Sequence, residues 1–411
     1  MTENSKKPRL RFRGFTETWE QCKLNDICDF YRGQGLSWND ITTDGKYECV
    51  LYGNLYTDYG MISNIVKFKT NNIPTNAVYS KHGDVLIPGS DTTPTGLARA
   101  TSLEVENAIL GGDINILRPK YHNGSYLSLA INNNKNKIIP LITGTTVRHL
   151  QNSSIKTIEL LLTNNSCEQN NIVNVFKHID KLITLHQRKY DKFVAIKKAL
   201  LEKMFPRAGR NVPEIRFKGF TETWEQCKLN DICDFYRGQG LSWNDITTDG
   251  KYECVLYGNL YTDYGMISNI VKFKTNNIPT NAVYSKHGDV LIPGSDTTPT
   301  GLARATSLEV ENAILGGDIN ILRPKYHNGS YLSLAINNNK NKIIPLITGT
   351  TVRHLQNSSI KTIELLLTNN SCEQNNIVNV FKHIDKLITL HQRQLEKLKN
   401  IKAALLEKMF V

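Results

Sequence analysis

Residues 14–188 recur, letter for letter, as residues 219–393, a shift of 205 positions (219 less 14). A chain written this way must fold as two copies of one unit, because a sequence that specifies a structure once specifies it twice. The identity includes strings such as NNNKNK at 132–137, which no fold requires, and so points to recent duplication, recombination or deliberate construction. On either side the copies have diverged. PRLRFRGF at 8–15 parallels PEIRFKGF at 213–220, and KYDKFVAIKKALLEKMF at 189–205 parallels QLEKLKNIKAALLEKMF at 394–410.

Within each copy, the part from Trp19 to Leu162 reads as mixed α/β. The short β-branched or aromatic runs YECVLYG, GMISNIVKF, DVLIPG and INILRP are broken by Gly, Pro, Asn and Asp, as strands joined by turns are. YLSLAIN at 126–132 reads as a helix. From Ser166 the pattern changes: Ser166 and Gln169 make an S-x-x-Q capping box ahead of an apolar-periodic stretch. Ile172, Ile179, His186, Phe193 and Leu200 then repeat every seven residues, with Val175 or Phe176, Leu182 or Ile183, Tyr190, Ile196 and Met204 between them, which predicts a coiled-coil seam. In the diverged second copy Tyr190 becomes Leu395 and Phe193 becomes Leu398, while Val194 becomes Lys399 and Ala195 becomes Asn400. Apolarity persists where the seam needs it. Each helix of roughly 35 residues would extend on the order of 50 Å at about 1.5 Å per residue. The expected division is 1–165 domain, 166–206 helix, 207–218 linker containing RAGRNVPE, 219–370 domain and 371–411 helix.

A chain of 411 residues with 40% hydrophobic and 21% charged content can build a core in each half. Fifty Lys plus Arg against 38 Asp plus Glu leave a formal charge of +12, which favours polyanionic partners, nucleic acid first. The opening MTENSKKPRLRFRG has no apolar stretch of signal-peptide type and no run reaches membrane-span length, so a soluble, cytoplasmic protein is expected. The eight Cys are four positions seen twice (Cys22, Cys28, Cys49, Cys167 and their copies), without a CxxC, and read as reduced thiols with no metal site.

Catalytic signatures are missing. YRGQGLSW at 31–38 contains a G-x-G without the third glycine and reads as a turn; there is no Walker loop, no N/D-P-P-Y/F motif, and Asp84 in HGDVLIP has no E-x-K partner. What remains is a set of loops suited to DNA, since Arg, Asn and Gln address base edges while hydroxyls and amides hold phosphates. In the first copy these are Arg32 and Gln34; Asn54, Tyr56 and Tyr59; Ser90, Thr92, Thr93 and Thr95 of GSDTTPTG; and Thr145, Thr146, Arg148 and His149 of GTTVRHLQ. In the second they are Arg237 and Gln239; Asn259, Tyr261 and Tyr264; Ser295, Thr297, Thr298 and Thr300; and Thr350, Thr351, Arg353 and His354. No residue is expected to be catalytic or to bind a metal.

In order, RFRGFTETWEQCKLNDI, GDVLI, ILRP, YLSLAI, GTTVRHLQNSSIKTIEL, EQNNIVNVFKHIDKLITLHQR and KKALLEKMF, repeated in the second half, resemble the specificity subunit of Type I restriction-modification systems over nearly the whole chain. The resemblance implies an α+β architecture: two mixed α/β target recognition domains separated by two long helices packed as an antiparallel coiled coil. It implies a non-enzymatic subunit that binds double-stranded DNA at a split site and docks two methyltransferase subunits and, for restriction, two restriction subunits. No cofactor is then expected on this chain; S-adenosylmethionine belongs to the methyltransferase partner, ATP and Mg to the restriction partner. Family members normally carry two different recognition domains, so two identical ones imply an interrupted palindrome. A free-standing DNA-binding regulator, a recognition subunit of another type of fused restriction-modification system, and an enzyme are the alternatives.

Overall fold

The computed structural model describes residues 6–207 and 209–411; the first five residues of the basic opening and Ala208 of the linker lie outside these. The chain divides into two compact units. Unit 1 comprises Met1–Gln187 with Arg393–Val411, and unit 2 comprises Arg188–Gln392. Each long helix contributes to both units: the first up to Gln187 and the second from Arg393 belong to unit 1, and their other parts to unit 2.

In unit 1 the element order is β1 (Glu20–Lys23), α1 (Leu24–Ile27), β2 (Cys28–Arg32), β3 (Ile41–Thr42), β4 (Tyr47–Val50), α2 (Asn54–Thr57), β5 (Ile62–Ser63), β6 (Phe68–Thr70) and β7 (Val78–Tyr79). It continues with β8 (Asp84–Pro88), β9 (Ser90–Asp91), α3 (Pro94–Leu97), β10 (Thr101–Leu103), β11 (Ile109–Leu110), β12 (Ile114–Pro119), α4 (Gly124–Asn133), α5 (Lys135–Ile138), β13 (Arg148–His149), α6 (Asn152–Ile155) and β14 (Glu159–Leu162). There are two five-stranded sheets, ordered β2-β12-β8-β10-β5 and β3-β6-β4-β11-β7, and two separate two-stranded pairs, β1-β14 and β13-β9. The stretch GMISNIVKF, one run in the sequence, breaks into β5 and β6 in different sheets. The same order recurs in unit 2 from Glu225–Lys228 to Glu364–Leu367.

Strand β8 shows why the central sheet is buried on both faces. Successive side chains point to opposite faces: Val85 and Ile87 enter a core with Leu117 and α4, while Leu86 enters a second core with Val50, Leu55, Ile114 and Ile116. Asp84, at the start of β8, is fully buried, and Arg118 of β12 grips it through Nε (2.8 Å) and Nη2 (2.7 Å). Arg118 also lies over the Tyr31 ring, 4.7 Å from its centroid. Asp84 and the ILRP arginine are thus one structural pair. In YRGQG, a Cβ on Gly33 would stand 1.9 Å from the carbonyl oxygen of Gly111, so the glycine serves a close backbone approach in a turn.

The first long helix spans Ser166–Lys203 and the second Ser371–Met409. The cap differs from the expected box by one residue: the Asn165 side chain accepts from the amides of Cys167 (3.0 Å) and Glu168 (3.2 Å). Gln169 instead donates to the Thr163 carbonyl and accepts from the Asn123 amide, both at 2.8 Å. Glu168 is fully buried and bound by Arg11 through Nε (2.6 Å) and Nη2 (2.9 Å); Arg216 holds Glu373 with the same two distances. The arginine retained in both diverged flanks therefore fastens each N-terminal strap to the start of a long helix.

Within unit 1 the end of the second long helix runs antiparallel to the first. Phe410 meets Phe176 (centroids 6.5 Å apart) and, farther back along the second helix, Lys402 pairs with Asp180, farther forward on the first. Phe410 also stacks on Tyr126 (5.5 Å) and meets Trp19 edge-on (5.9 Å). In unit 2 the end of the first long helix takes this place: Phe205 stacks on Tyr331 (5.6 Å) and meets Trp224 edge-on (5.8 Å), while Lys197 pairs with Asp385 and Phe193 stacks on His391. Seam residues Ile172, Phe176 and Ile179 are buried, and Leu182, Ile183, Tyr190 and Phe193 are half-buried. Among the described residues no helix is long and apolar enough to cross a membrane.

His122 and its copy His327 are each about 6% exposed, and burial depresses their pKa below 6.5, outweighing the opposing pull of Asn164 and Asn369. Each is harder to protonate in the fold than in the unfolded chain, so as pH drops through the unfolded pKa of about 6.5 the unfolded chain binds more protons and stability is lost. Thermal unfolding should show Tm declining as pH drops through that range, less steeply in a His122→Gln/His327→Gln variant; an unchanged slope would contradict the burial effect.

Candidate nucleic-acid interface

The pairing of β9 with β13 brings the two polar loops together, setting Ser90 opposite His149 and Asp91 opposite Arg148. Leu150 donates its amide to the Gly89 carbonyl (2.9 Å), and the Ser90 hydroxyl lies 2.8 Å from His149 Nδ1. This bond fixes the ring with Nε2 as its second polar edge. The Tyr56 hydroxyl donates to the Ser90 carbonyl, tying α2 to the same point; burial raises the phenol's pKa far above its ordinary value.

Arg32, at the end of β2, joins this group. Its guanidinium donates to Asn115 Oδ1 (3.1 Å) and pairs with Asp113. An exposed pair of this sort contributes about 0–1 kcal/mol to stability, so its consequence is orientation. Gly89 lies beneath: a Cβ there would come within 3.0 Å of Arg32 Nη2 and 2.7 Å of Asp113 Oδ1. Arg32, Gly89, His149, Gln151 and Asn152 line a recess of about 380 Å³, and the matching residues of unit 2 line one of about 350 Å³.

Asp91 organises the GSDTTPTG loop. Its carboxylate accepts from the Thr92 amide (2.6 Å) and the Thr93 hydroxyl (2.9 Å), and Thr93 in turn caps α3 by accepting from the Gly96 amide (3.2 Å). Thr92, Thr93 and Thr95 remain exposed. Thr145 and Thr146 are exposed at the tip of a loop closed by reciprocal bonds between Thr143 and His149 (2.8 and 3.0 Å). Arg148 is half-buried, reaching the Gly144 carbonyl at 3.4 Å. The unit 2 equivalents Ser295, Thr297, Thr298, Thr300, Tyr261, Arg237, Thr350, Thr351, Arg353 and His354 occupy matching places.

Asn54 and Tyr59 do not belong to this surface. Asn54 is 2% exposed; its Oδ1 accepts from the Leu51 amide and its Nδ2 donates to Asp58, both at 3.3 Å. Tyr59 lies in the second core, its hydroxyl accepting from the Lys67 amide (3.0 Å). Asn259 and Tyr264 repeat both arrangements. Their polar groups satisfy backbone amides, a role the residue types alone do not reveal. Exposed Gln34 stands apart, anchored through its amide to the Leu110 carbonyl (3.1 Å). Asn152, which the sequence reading did not single out, joins the recess by donating to the Tyr31 carbonyl (2.9 Å).

The described residues contain no cluster of three or more His, Cys, Asp or Glu placed to hold a metal. The arrangement is a convergence of fixed hydrogen-bonding side chains on a loop-built surface, present in each unit.

The family model for the Type I restriction modification DNA specificity domain matches residues 16–193 and again residues 221–400. The chain belongs to this family. It is similar, at 22% identity, to a type I specificity subunit of Mycoplasma genitalium; the match covers 60% of this chain and 59% of that protein, so the chain spans somewhat over half the length of that relative. The fold resembles the crystal structure of a Type I restriction-modification system S subunit from M. genitalium, with TM-score 0.66, 15% identity and 98% of this chain and 99% of that one covered. It also resembles a chain from a structural study of complex assembly and conformational transition of the type I system, with TM-score 0.52, 15% identity and 95% and 97% covered.

Arg32 and Tyr59 should behave oppositely. Arg32→Ala with Arg237→Ala is expected to weaken duplex DNA binding in an anisotropy titration while leaving Tm nearly unchanged. Tyr59→Phe with Tyr264→Phe should lower stability by about 1 kcal/mol per unit through loss of the hydrogen bonds to the Lys67 and Lys272 amides, with DNA affinity retained. The reverse pattern would contradict the division between surface and core.

Proposed function

We propose that the chain is the address-reading subunit of a Type I restriction-modification complex, each unit reading one arm of a split DNA site, and that it performs no chemistry itself. The proposed partners are two methyltransferase subunits, which carry S-adenosylmethionine, and restriction subunits, which use ATP and Mg. Docking on this chain would direct adenine methylation to both arms, or cleavage to unmodified DNA, in the cytoplasm. Family membership and the donor-rich loops support the reading role.

The observation that carries the reading of the target is reciprocity. Unit 1 is completed by Phe410 and unit 2 by Phe205, so two identical sequences exchange equivalent helix ends. In this reading, two identical domains address the two DNA strands equivalently, as the two halves of a symmetric dimer do. Such a reader matches a site whose arms are reverse complements, as dimeric repressors match palindromic operators. The second arm then repeats the first on the opposite strand.

Single-molecule sequencing of methylated adenines, in cells expressing this chain with its modification subunit, tests the proposal. The expected motif is a palindrome interrupted by unspecified bases. Two arms that are not reverse complements, or a contiguous motif, would overturn it.

A further inference from the structure

A second concave feature of unit 1 shares no lining residue with the recess beneath Arg32. It is a cleft of about 740 Å³ walled on one side by α3, α4 and α5 and on the other by the last turns of the second long helix. Cations come from both walls: Arg99 and Lys135 from the α/β domain, Lys399 and Lys402 from the helix. Lys402 is paired with Asp180. Arg99 is held rigidly, donating to the carbonyls of Tyr56 (2.6 Å) and Tyr59 (3.4 Å), so its charge has an oriented position and no carboxylate partner among the described residues. Lys135 and Lys399 likewise form no ion pair among the described residues. Burial, with the nearby Arg99 charge, lowers the pKa of Lys135.

The one carboxylate lining the cleft, Asp91, is engaged by Thr92 and Thr93. The exposed hydroxyls of Thr93 and Thr95 complete the lining. Like charges gathered in a partly dehydrated cleft repel one another, and an anion relieves that repulsion. Resting on the DNA-reading function proposed above, we infer that this cleft clamps the phosphodiester backbone of DNA, with Arg99 and Lys135 on one jaw and Lys399 on the other. Because the helix jaw contacts phosphates and no bases, the clamp sets affinity and register and leaves base preference to the loops.

The repeat contains its own control. The positions of unit 2 that match Lys399 and Ala403 are Val194 and Lys198, so the cation there lies four residues later, about one turn or 5.4 Å along the helix. Transplanting that arrangement into unit 1 moves the charge without removing it.

The test is the salt dependence of binding of a random-sequence duplex by the full chain. Lys399→Val should reduce the magnitude of the log K against log salt slope by about 0.9, the value for one B-DNA phosphate contact. Lys135→Gln should do the same, and Lys399→Val/Ala403→Lys should recover the wild-type slope. Specific-to-random affinity ratios should stay constant throughout. If the wild-type chain does not bind DNA, the reading function fails. If it binds with a slope that neither single variant changes, the clamp fails while the reading function stands. Loss of methyltransferase co-purification in Lys399→Val with an unchanged DNA slope would also overturn the clamp, marking the cleft as a protein-docking surface.

Discussion

Each unit is completed by an aromatic residue from the end of a long helix. In unit 1, Phe410 enters a cluster of Trp19, Tyr126 and Phe176; in unit 2, Phe205 enters Trp224, Tyr331 and Phe381. Removing a buried Phe side chain typically costs about 3–5 kcal/mol, a large share of the stability of an ordinary domain. The cluster also fixes polar geometry around it: the Tyr126 hydroxyl accepts from the Thr163 amide (3.1 Å) just before the first long helix begins. Each α/β domain and the helix end packed against it are therefore one folding problem, and the division of the chain into units follows from where these aromatic residues go.

Much of this was legible beforehand because burial leaves periodic traces. The seven-residue spacing from Ile172 predicted the long helix, and the seam persisted where the two copies diverged. β8 and β12 were visible as apolar runs, and YLSLAIN as the buried helix α4. The motifs WE, YLSLAI and EKMF contribute Trp19, Tyr126 and Phe410 to one cluster. Their recurrence therefore reflects assembly of the unit. That the last of them closes the core of the opposite copy's domain depends on tertiary contact, which local spacing cannot express.

The candidate interface was legible only in part. The loops 89–96 and 144–151 converge, as polar turn residues flanking paired strands can. Asn54 and Tyr59 have the same residue types but turn inward, where they bond the backbone amides of Leu51 and Lys67. Nothing in local sequence separates the two cases. The cations Arg99 and Lys135 were missed for the related reason that their meaning depends on Lys399, a residue from the other end of the chain. Charge along the sequence is spread thinly; the fold gathers it.

Hydrogen exchange on a chain truncated after Leu406, compared with the full-length chain, tests most directly whether unit 1 depends on the far helix end. The account predicts that amides around Trp19, Tyr126 and Phe176 lose protection while those around Trp224, Tyr331 and Phe381 keep theirs. Equal protection of both clusters in the truncated chain would contradict it.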